Sequence, residues 1–304
     1  MPALHLFPSF DLPSMTSHDD LLSGDRIYDT DANYSCTIVS LLNEGFYAKV
    51  YLVSCGGSDR KLALKAISVP VHQKSVLKTC SSVGIHDEHA IQTQCRHQRI
   101  VECVHGFATE ATYFLYLELL HAGDASHYLL QIGSMQHEFI CIFHIHVLNA
   151  LQYIHMKGFA HRDVKLENIL LSLKNGCPHS FKLGDFGLAK LSSAYSGCKT
   201  LCGTLDYMAP EVVVIDPARR DYGQQVDVWG FGISMHMLSS GEHPYGEGDL
   251  FLQVQSAGVV LSPKLKSDVA AVLQKVLVQD PRKRARASDL LQSCMLRSLL
   301  ATSS

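Results

Sequence analysis

Around "HAGD" (121–124) the period of the apolar residues changes, and this limits the fold more than any other feature of the chain. From Cys36 to Leu119 the apolar residues come in short β-branched and aromatic runs: "CTIVSLL", "AKVYLVS", "KLALKAISV", "RIVECVHGF" and "TYFLYLEL". Turn clusters such as "CGGSD" separate them, so these runs read as strands. One helix is expected near 84–96, between the third and fourth strands. Beyond "HAGD" the spacing is helical. In "SDVAAVLQKVLVQ", Val269, Val272, Leu273, Val276 and Leu277 fall on one stripe, with Ser267 or Asp268 as N-cap. The expected class is α+β: a small β-rich lobe with one main helix, then a larger, mainly helical lobe, with a cleft between them. No internal repeat is visible.

Residues 1–33 are rich in Pro, Ser and Asp without sustained periodicity, and read as a disordered N-terminal tail. The tail has no basic n-region, and prolines and a histidine break its apolar residues, unlike a secretory signal. The most apolar run, "FICIFHIHVLNALQYIH" (139–155), holds three histidines and an asparagine, which suits a buried helix better than a membrane span. A net charge of −3 gives no reason to expect nucleic acid or an anionic membrane as partner. The ten cysteines show no repeated Cys-x-x-Cys pair and are expected to be reduced thiols, with Cys198 and Cys202 close enough to leave a redox pair open. Seventeen histidines show no zinc spacing.

The chemistry is concentrated in the second half. "HRDVKLENILL" (161–171) places Lys165 two residues and Asn168 five residues after Asp163. Alone, a polar surface turn before a strand is the competing reading. "LGDFGLAK" (183–190) follows with Asp185, then "GTLDYMAPEV" (203–212), then "QQVDVWGFG", where Asp227 opens an apolar helix. "DPRKR" (280–284) ends on Arg284.

In this order the motifs resemble the eukaryotic protein kinase family, Ser/Thr type, over about 265 residues from near Cys36 to Leu300. The resemblance implies the two-lobed protein kinase fold over 34–300, with an N-lobe at 34–119 and a C-lobe at 120–300. It also implies ATP and Mg2+ as cofactors and proteins bearing Ser or Thr as substrates. Asp163 would accept the hydroxyl proton, Lys165 would steady the transferring phosphoryl group, and Asn168 and Asp185 would hold magnesium through hard oxygen donors. Asp227 would brace the catalytic loop, and Glu211 and Arg284 would form an internal ion pair.

In the small lobe "LALKAI" matches the strand that carries the ATP-binding lysine, Lys65. Its acidic partner is expected at Glu88, 23 residues on, with Asp87 as the competing candidate. Gln92 stands where most relatives place an apolar residue against the Asp-Phe-Gly phenylalanine, here Phe186. The adenine site would draw on the hinge "LYLELLHAGD": Leu117 as gatekeeper, with backbone groups of Glu118 and Leu120. Leu42, Val50, Ala63 and Leu170 would supply apolar walls, and Asp124 would meet the ribose. "LLNEGFYAKVYLV" (41–53) alone could be an ordinary hairpin. Aligned by Val50, fifteen residues before Lys65, it resembles the nucleotide loop, with Asn43, Gly45 and Ala48 at the glycine positions and Tyr47 at the tip. Asn tolerates φ > 0, which would let Asn43 stand in for the first glycine; a stiffer lid and weaker ATP binding are expected.

Lys165 together with Thr204 resembles Ser/Thr rather than Tyr kinases, with dual specificity as the remainder. Arg162, aided by Lys190, would pair with a phosphate on Thr200 placed by an upstream kinase; an active enzyme that needs no phosphorylation stays open. The branch most resembled is the checkpoint effector kinases of the calcium/calmodulin-kinase-like group, which points to checkpoint or cell-cycle signalling. The C-terminal regulatory region such kinases carry is not expected after Arg284. Asp124 and Glu167 favour an upstream basic residue in the substrate, while Met237 stands where basophilic relatives have an acid. "RKRAR" leaves cytoplasm and nucleus both open. The alternative from another class is a pseudokinase or scaffold with weak nucleotide binding. A small-molecule kinase of related fold is disfavoured by "MAPE", Thr204 and Asp227.

Overall fold

The computed structural model describes residues 21–29, 32, 34–45, 48–55, 60–68, 91–109, 112–191, 203–213, 222–246, 249–256 and 258–292. The chain divides into two compact units, Met1–Cys80 with Gly106–Tyr116, and Ser81–His105 with Leu117–Ser304.

The first unit holds most of a sheet of six strands in the order β1-β2-β3-β4-β6-β5, of which the start of β5 and the end of β6 count with the second. These are β1 (Arg26–Asp29), β2 (Tyr34–Glu44), β3 (Ala48–Cys55), β4 (Lys61–Ser68), β5 (Cys103–Ala108) and β6 (Thr112–Glu118). Alternation sends Ile38, Tyr51, Val53, Leu62 and Leu64 inward, all at most 3% exposed. The five expected strands are present. The expected tail over 1–33 needs correction, because Arg26–Asp29 pairs antiparallel with β2 and buries Ile27 and Asp29. Four residues are too short a stretch for composition to reveal a strand, but long enough to cover the edge of β2.

The cysteines also need correction. Cys36 and Cys55 face each other across β2 and β3, with Cα atoms 4.2 Å apart, and form a disulfide. Two register shifts, between Ile38 and Ser40 and between Leu41 and Asn43, bring them opposite one another. Cys95, Cys103, Cys141 and Cys177 form no disulfide; Cys198 and Cys202 lie outside the described residues.

In the second unit, residues 91–94 are helical and are labelled α1. α2 (Ala125–Ile132) and α3 (His137–Met156) follow, then the short strand β7 (Phe159–Ala160). β8 (Ile169–Lys174) and β9 (Cys177–Leu183) form an antiparallel pair, and β10 (Lys190–Leu191) pairs with β7. α4 (Gln225–Ser240), α5 (Leu250–Gln255), α6 (Ser267–Val276) and α7 (Ala287–Leu290) complete the described elements. By length and composition α3 could cross a membrane. It buries Ile140, Phe143, Val147, Leu148, Leu151 and Ile154 as a core helix instead. Phe143 lies 5.4 Å from Phe181 and 5.7 Å from Phe231, ring centre to ring centre, which ties α3 to β9 and α4.

α4 is buried on nearly every side, so it acts as the post on which the unit is assembled. Gly230 lets it approach the catalytic loop: a Cβ there would overlap the carbonyl oxygen of Val164. On α6 the expected stripe is present, with Val269, Val272, Leu273 and Val276 buried. The expected cap is not. The N-cap is Lys266 and makes no side-chain bond, because Ser267 and Asp268 are already inside the helix. Asp268 instead bonds the N–H of Val269 and pairs with His137 at 3.1 Å.

Candidate active site

The catalytic loop leaves β7 and is anchored from below by α4. Asp227, 1% exposed, accepts the backbone N–H groups of His161 and Arg162 at 2.8 and 2.7 Å. His155, at the end of α3, adds a third partner at 2.8 Å. Burial alone would raise the Asp227 carboxyl; the His155 hydrogen bond, the nearby His155 and His161 and the Arg162 N–H hold it below the ordinary value. The expected bracing position of Asp227 is thus filled. The two histidines were not foreseen as its partners, although a histidine at a helix end just before "HRD" was the available signal. His161 also bonds the Gly184 carbonyl at 2.9 Å and packs edge-on against Phe186.

This anchoring lets the loop turn sharply. Arg162 has φ +70°, outside the range most side chains prefer, and its Nε donates to the Leu188 carbonyl. Asp163, Lys165, Asn168 and Thr204 then converge. Lys165 Nζ lies 2.8 Å from Asp163 Oδ2 and donates to Thr204 Oγ1 at 2.7 Å. The Thr204 hydroxyl donates toward Asp163 Oδ1 at 3.4 Å. Asn168 Nδ2 donates to the Asp163 carbonyl at 2.8 Å and to Oδ2 at 2.9 Å. With its nitrogen committed, the amide of Asn168 keeps its oxygen for a hard cation. Asp185 is exposed at φ +55° and accepts the Gly187 N–H at 3.2 Å. An exposed carboxylate and an amide oxygen fit magnesium, which takes oxygen donors and keeps several waters. No group of three or more His, Cys, Asp or Glu that could hold a metal occurs among the described residues.

The ion pair expected of Glu211 and Arg284 is bidentate, at 2.7 and 3.0 Å. Arg284 is 2% exposed, stacks over Trp229 and donates to the carbonyls of Val278 and Gln225.

The residues expected at the nucleotide divide between the units. In the first, Lys65 sits on β4 opposite Val50 of β3, and Ala63 opposite Leu52. Gly45 closes the loop through a 2.8 Å bond from its N–H to the Ala48 carbonyl. Asn43 pairs with Val50 inside β2 and has no positive φ, so the expected left-handed role for it is corrected. The bulge between Leu41 and Asn43 takes up the irregularity within ordinary extended backbone. Leu42 is 48% exposed. Glu88, Asp87, Tyr47 and Thr200 lie outside the described residues, as does the side chain of Lys190.

In the second unit, the Glu118 N–H donates to the Glu102 carbonyl at 2.9 Å, and the Leu120 carbonyl accepts from Gly123 at 3.3 Å. Leu170 pairs with Asp124 through an isolated bridge. Asp124 also caps α2, accepting the His127 N–H at 2.8 Å, a task the sequence had not suggested. Gln92 is 1% exposed; its Nε2 donates to the Val101 carbonyl at 3.1 Å, while its buried Oε1 has no hydrogen-bond partner among the described residues.

A strand-built unit followed by a helical one carrying this catalytic loop defines the α+β protein kinase class. The protein kinase domain family matches residues 36–296, and the chain belongs to it. It is 33% identical over 207 residues to the protein kinase kin1 of Schizosaccharomyces pombe, covering 67% of this chain and 22% of that protein. It is 28% identical over 279 residues to the serine/threonine-protein kinase PLK4 of Aedes aegypti, covering 90% and 34%. An Aurora kinase of Saccharomyces cerevisiae is 28% identical over 253 residues, covering 82% and 65%. The chain thus spans less than two thirds of the length of each of these relatives.

Proposed function

We propose that this chain is a protein serine/threonine kinase that transfers the γ-phosphoryl group of ATP to Ser or Thr hydroxyls of protein substrates. The observation that carries it is the convergence of Asp163, Lys165, Asn168 and Thr204 on one loop braced by Asp227. Asp163 orients the attacking hydroxyl and takes its proton, since its carboxylate is held in place by Asn168 and Thr204. Lys165, 2.8 Å from Asp163, brings a positive charge to the side where the transferred group gains negative charge. Asn168 and Asp185 would hold magnesium, which when bound neutralises phosphate charge. Lys65 would engage the nucleotide phosphates with Glu88 as its partner. The Glu118 carbonyl and Leu120 N–H would read adenine, with Leu42, Val50, Ala63 and Leu170 around the base, Asn43 and Gly45 over the phosphates and Asp124 at the ribose.

The kinase domain is proposed over 34–300, and the checkpoint-effector branch rests on the leucine at 117 and the polar Gln92. An upstream kinase acting on Thr200 would order the following segment through Arg162; full activity of Thr200→Ala would remove that step. The cytoplasm or nucleus is the proposed site of action. A radiolabelled-phosphate assay on a degenerate Ser/Thr peptide array tests the main reading. Signal is expected from the wild type and not from Asp163→Asn, and equal signal from both would overturn it. The same array tests for an upstream basic residue.

A further inference from the structure

Behind the backbone that would meet adenine, the side chain of Glu118 is held in place from two sides. We infer that Lys182 is a positioning residue for the nucleotide base, acting through Glu118; this rests on the reading that the Glu118 backbone binds adenine. Lys182 Nζ lies 2.5 and 2.8 Å from the two carboxylate oxygens of Glu118. Glu118 Oε1 also accepts the Glu102 N–H at 2.8 Å, while the Glu118 N–H returns a bond to the Glu102 carbonyl at 2.9 Å. Side chain and backbone of Glu118 are therefore registered against the same residue, and Lys182 holds the side-chain half of that register.

Lys182 is itself well fixed. It precedes Leu183 of β9, whose N–H donates to the Arg99 carbonyl and whose carbonyl accepts the Val101 N–H, both at 2.9 Å. Residues 99–102, β9 and the end of β6 are thus one hydrogen-bonded block. The Lys182 and Glu118 side chains are 21% and 25% exposed, so water screens the pair less than it would on an open surface. Removing the ammonium leaves a largely enclosed carboxylate with one N–H donor against its charge. The carboxylate would turn toward water and release Glu102, and the Glu118 carbonyl would lose its fixed direction. Three residues beyond Lys182 stands Asp185, so one strand end sets both the base-reading backbone and the proposed metal ligand.

The test uses the full chain with Lys182→Met, Lys182→Arg, Glu118→Gln and the Lys182→Met/Glu118→Gln double variant. KM for ATP and kcat are measured, with adenosine affinity by calorimetry and inhibition by inorganic tripolyphosphate as a probe lacking the base. Lys182→Met is expected to raise KM for ATP and weaken adenosine by roughly three- to tenfold. kcat at saturating ATP should change less than KM, and tripolyphosphate inhibition should not move. Lys182→Arg should recover most of the loss, and Lys182→Met in the Glu118→Gln background should add less than about twofold. Unchanged adenosine affinity in a folded Lys182→Met variant overturns the inference. So does equal weakening of adenosine and tripolyphosphate, which would mark a general loss of structure. A wild type that binds tripolyphosphate but not adenosine would instead overturn the reading of the Glu118 backbone on which the inference stands.

Discussion

The β2–β3 hairpin of the first unit and the catalytic loop of the second are held by different forces. The hairpin rests on strand pairing: β2 and β3 run in register past two shifts, with a disulfide between Cys36 and Cys55 at the far end. Near the loop its one ion pair among the described residues, Glu44 with Lys49, is well exposed and contributes little. The catalytic loop has almost no regular pairing. It hangs on buried charges and hydrogen bonds, with Asp227 beneath it and Arg284 with Glu211 further along the unit. Pairing and a covalent tie fix the register of two strands. A buried network fixes single atoms and is costly to interrupt.

That contrast can be broken experimentally, and the largest effect should come from the buried network. Glu211→Ala strands the Arg284 guanidinium, so it should destabilise the second unit by about 3–5 kcal/mol in denaturant unfolding. An effect below about 1 kcal/mol, the level of a surface pair, would dissolve the distinction. Reduction of the disulfide, or a Cys36→Ala/Cys55→Ala double variant, comes next. A cross-link closing a loop of this length contributes about 3 kcal/mol, and the loss should appear in hydrogen exchange of β2 and β3. Equal loss of protection around Asp163 would show that the two regions are not held separately.

Acid should also discriminate between them. Burial lowers His144 and His146 of α3 to about 4, with Arg99 and His179 adding to the effect at His146. Because these values lie below that of an unfolded histidine, the unfolded chain takes up protons first. Stability of the second unit should therefore fall as pH drops from about 6.5 toward 4. The lowered Asp227 carboxyl adds a further loss only as pH falls below the ordinary aspartate value. Thermal melts at pH 7.5 and 5 should differ, and His144→Gln should narrow the difference; an unaltered gap would place the acid sensitivity elsewhere. The smallest effect is expected at the hairpin tip. Asn43→Gly with Ala48→Gly should lower KM for ATP by roughly two- to threefold, since more backbone could fold onto the phosphates. A KM that rises or stays level would mean the missing glycines were never a weakness.

Legibility from sequence followed the range of the interaction. "HRDVKLENILL" could be read because Asp163, Lys165 and Asn168 are neighbours in the chain as well as in space. The stripe of α6 was equally plain, yet its cap was misread, since helix boundaries depend on local competition between Lys266, Ser267 and Asp268. The left-handed backbone assigned to Asn43 failed because a bulge offered an unstrained alternative. The disulfide was invisible because Cys36 meets Cys55 only after two register shifts that no local pattern announces.

By itself the sequence determined the class of fold, five strands of the sheet and the buried stripe of α6, and it singled out Asp163, Lys165 and Asn168 as candidates for phosphoryl transfer, because periodicity and short motifs act within a few residues. Only the tertiary structure decided who holds those residues: His155 and His161 beside Asp227, Gly230 beneath Val164, and Lys182 behind Glu118. Those partners lie tens of residues apart. Their meeting depends on burial and on pairing enclosed charges, a condition that belongs to the packed chain as a whole.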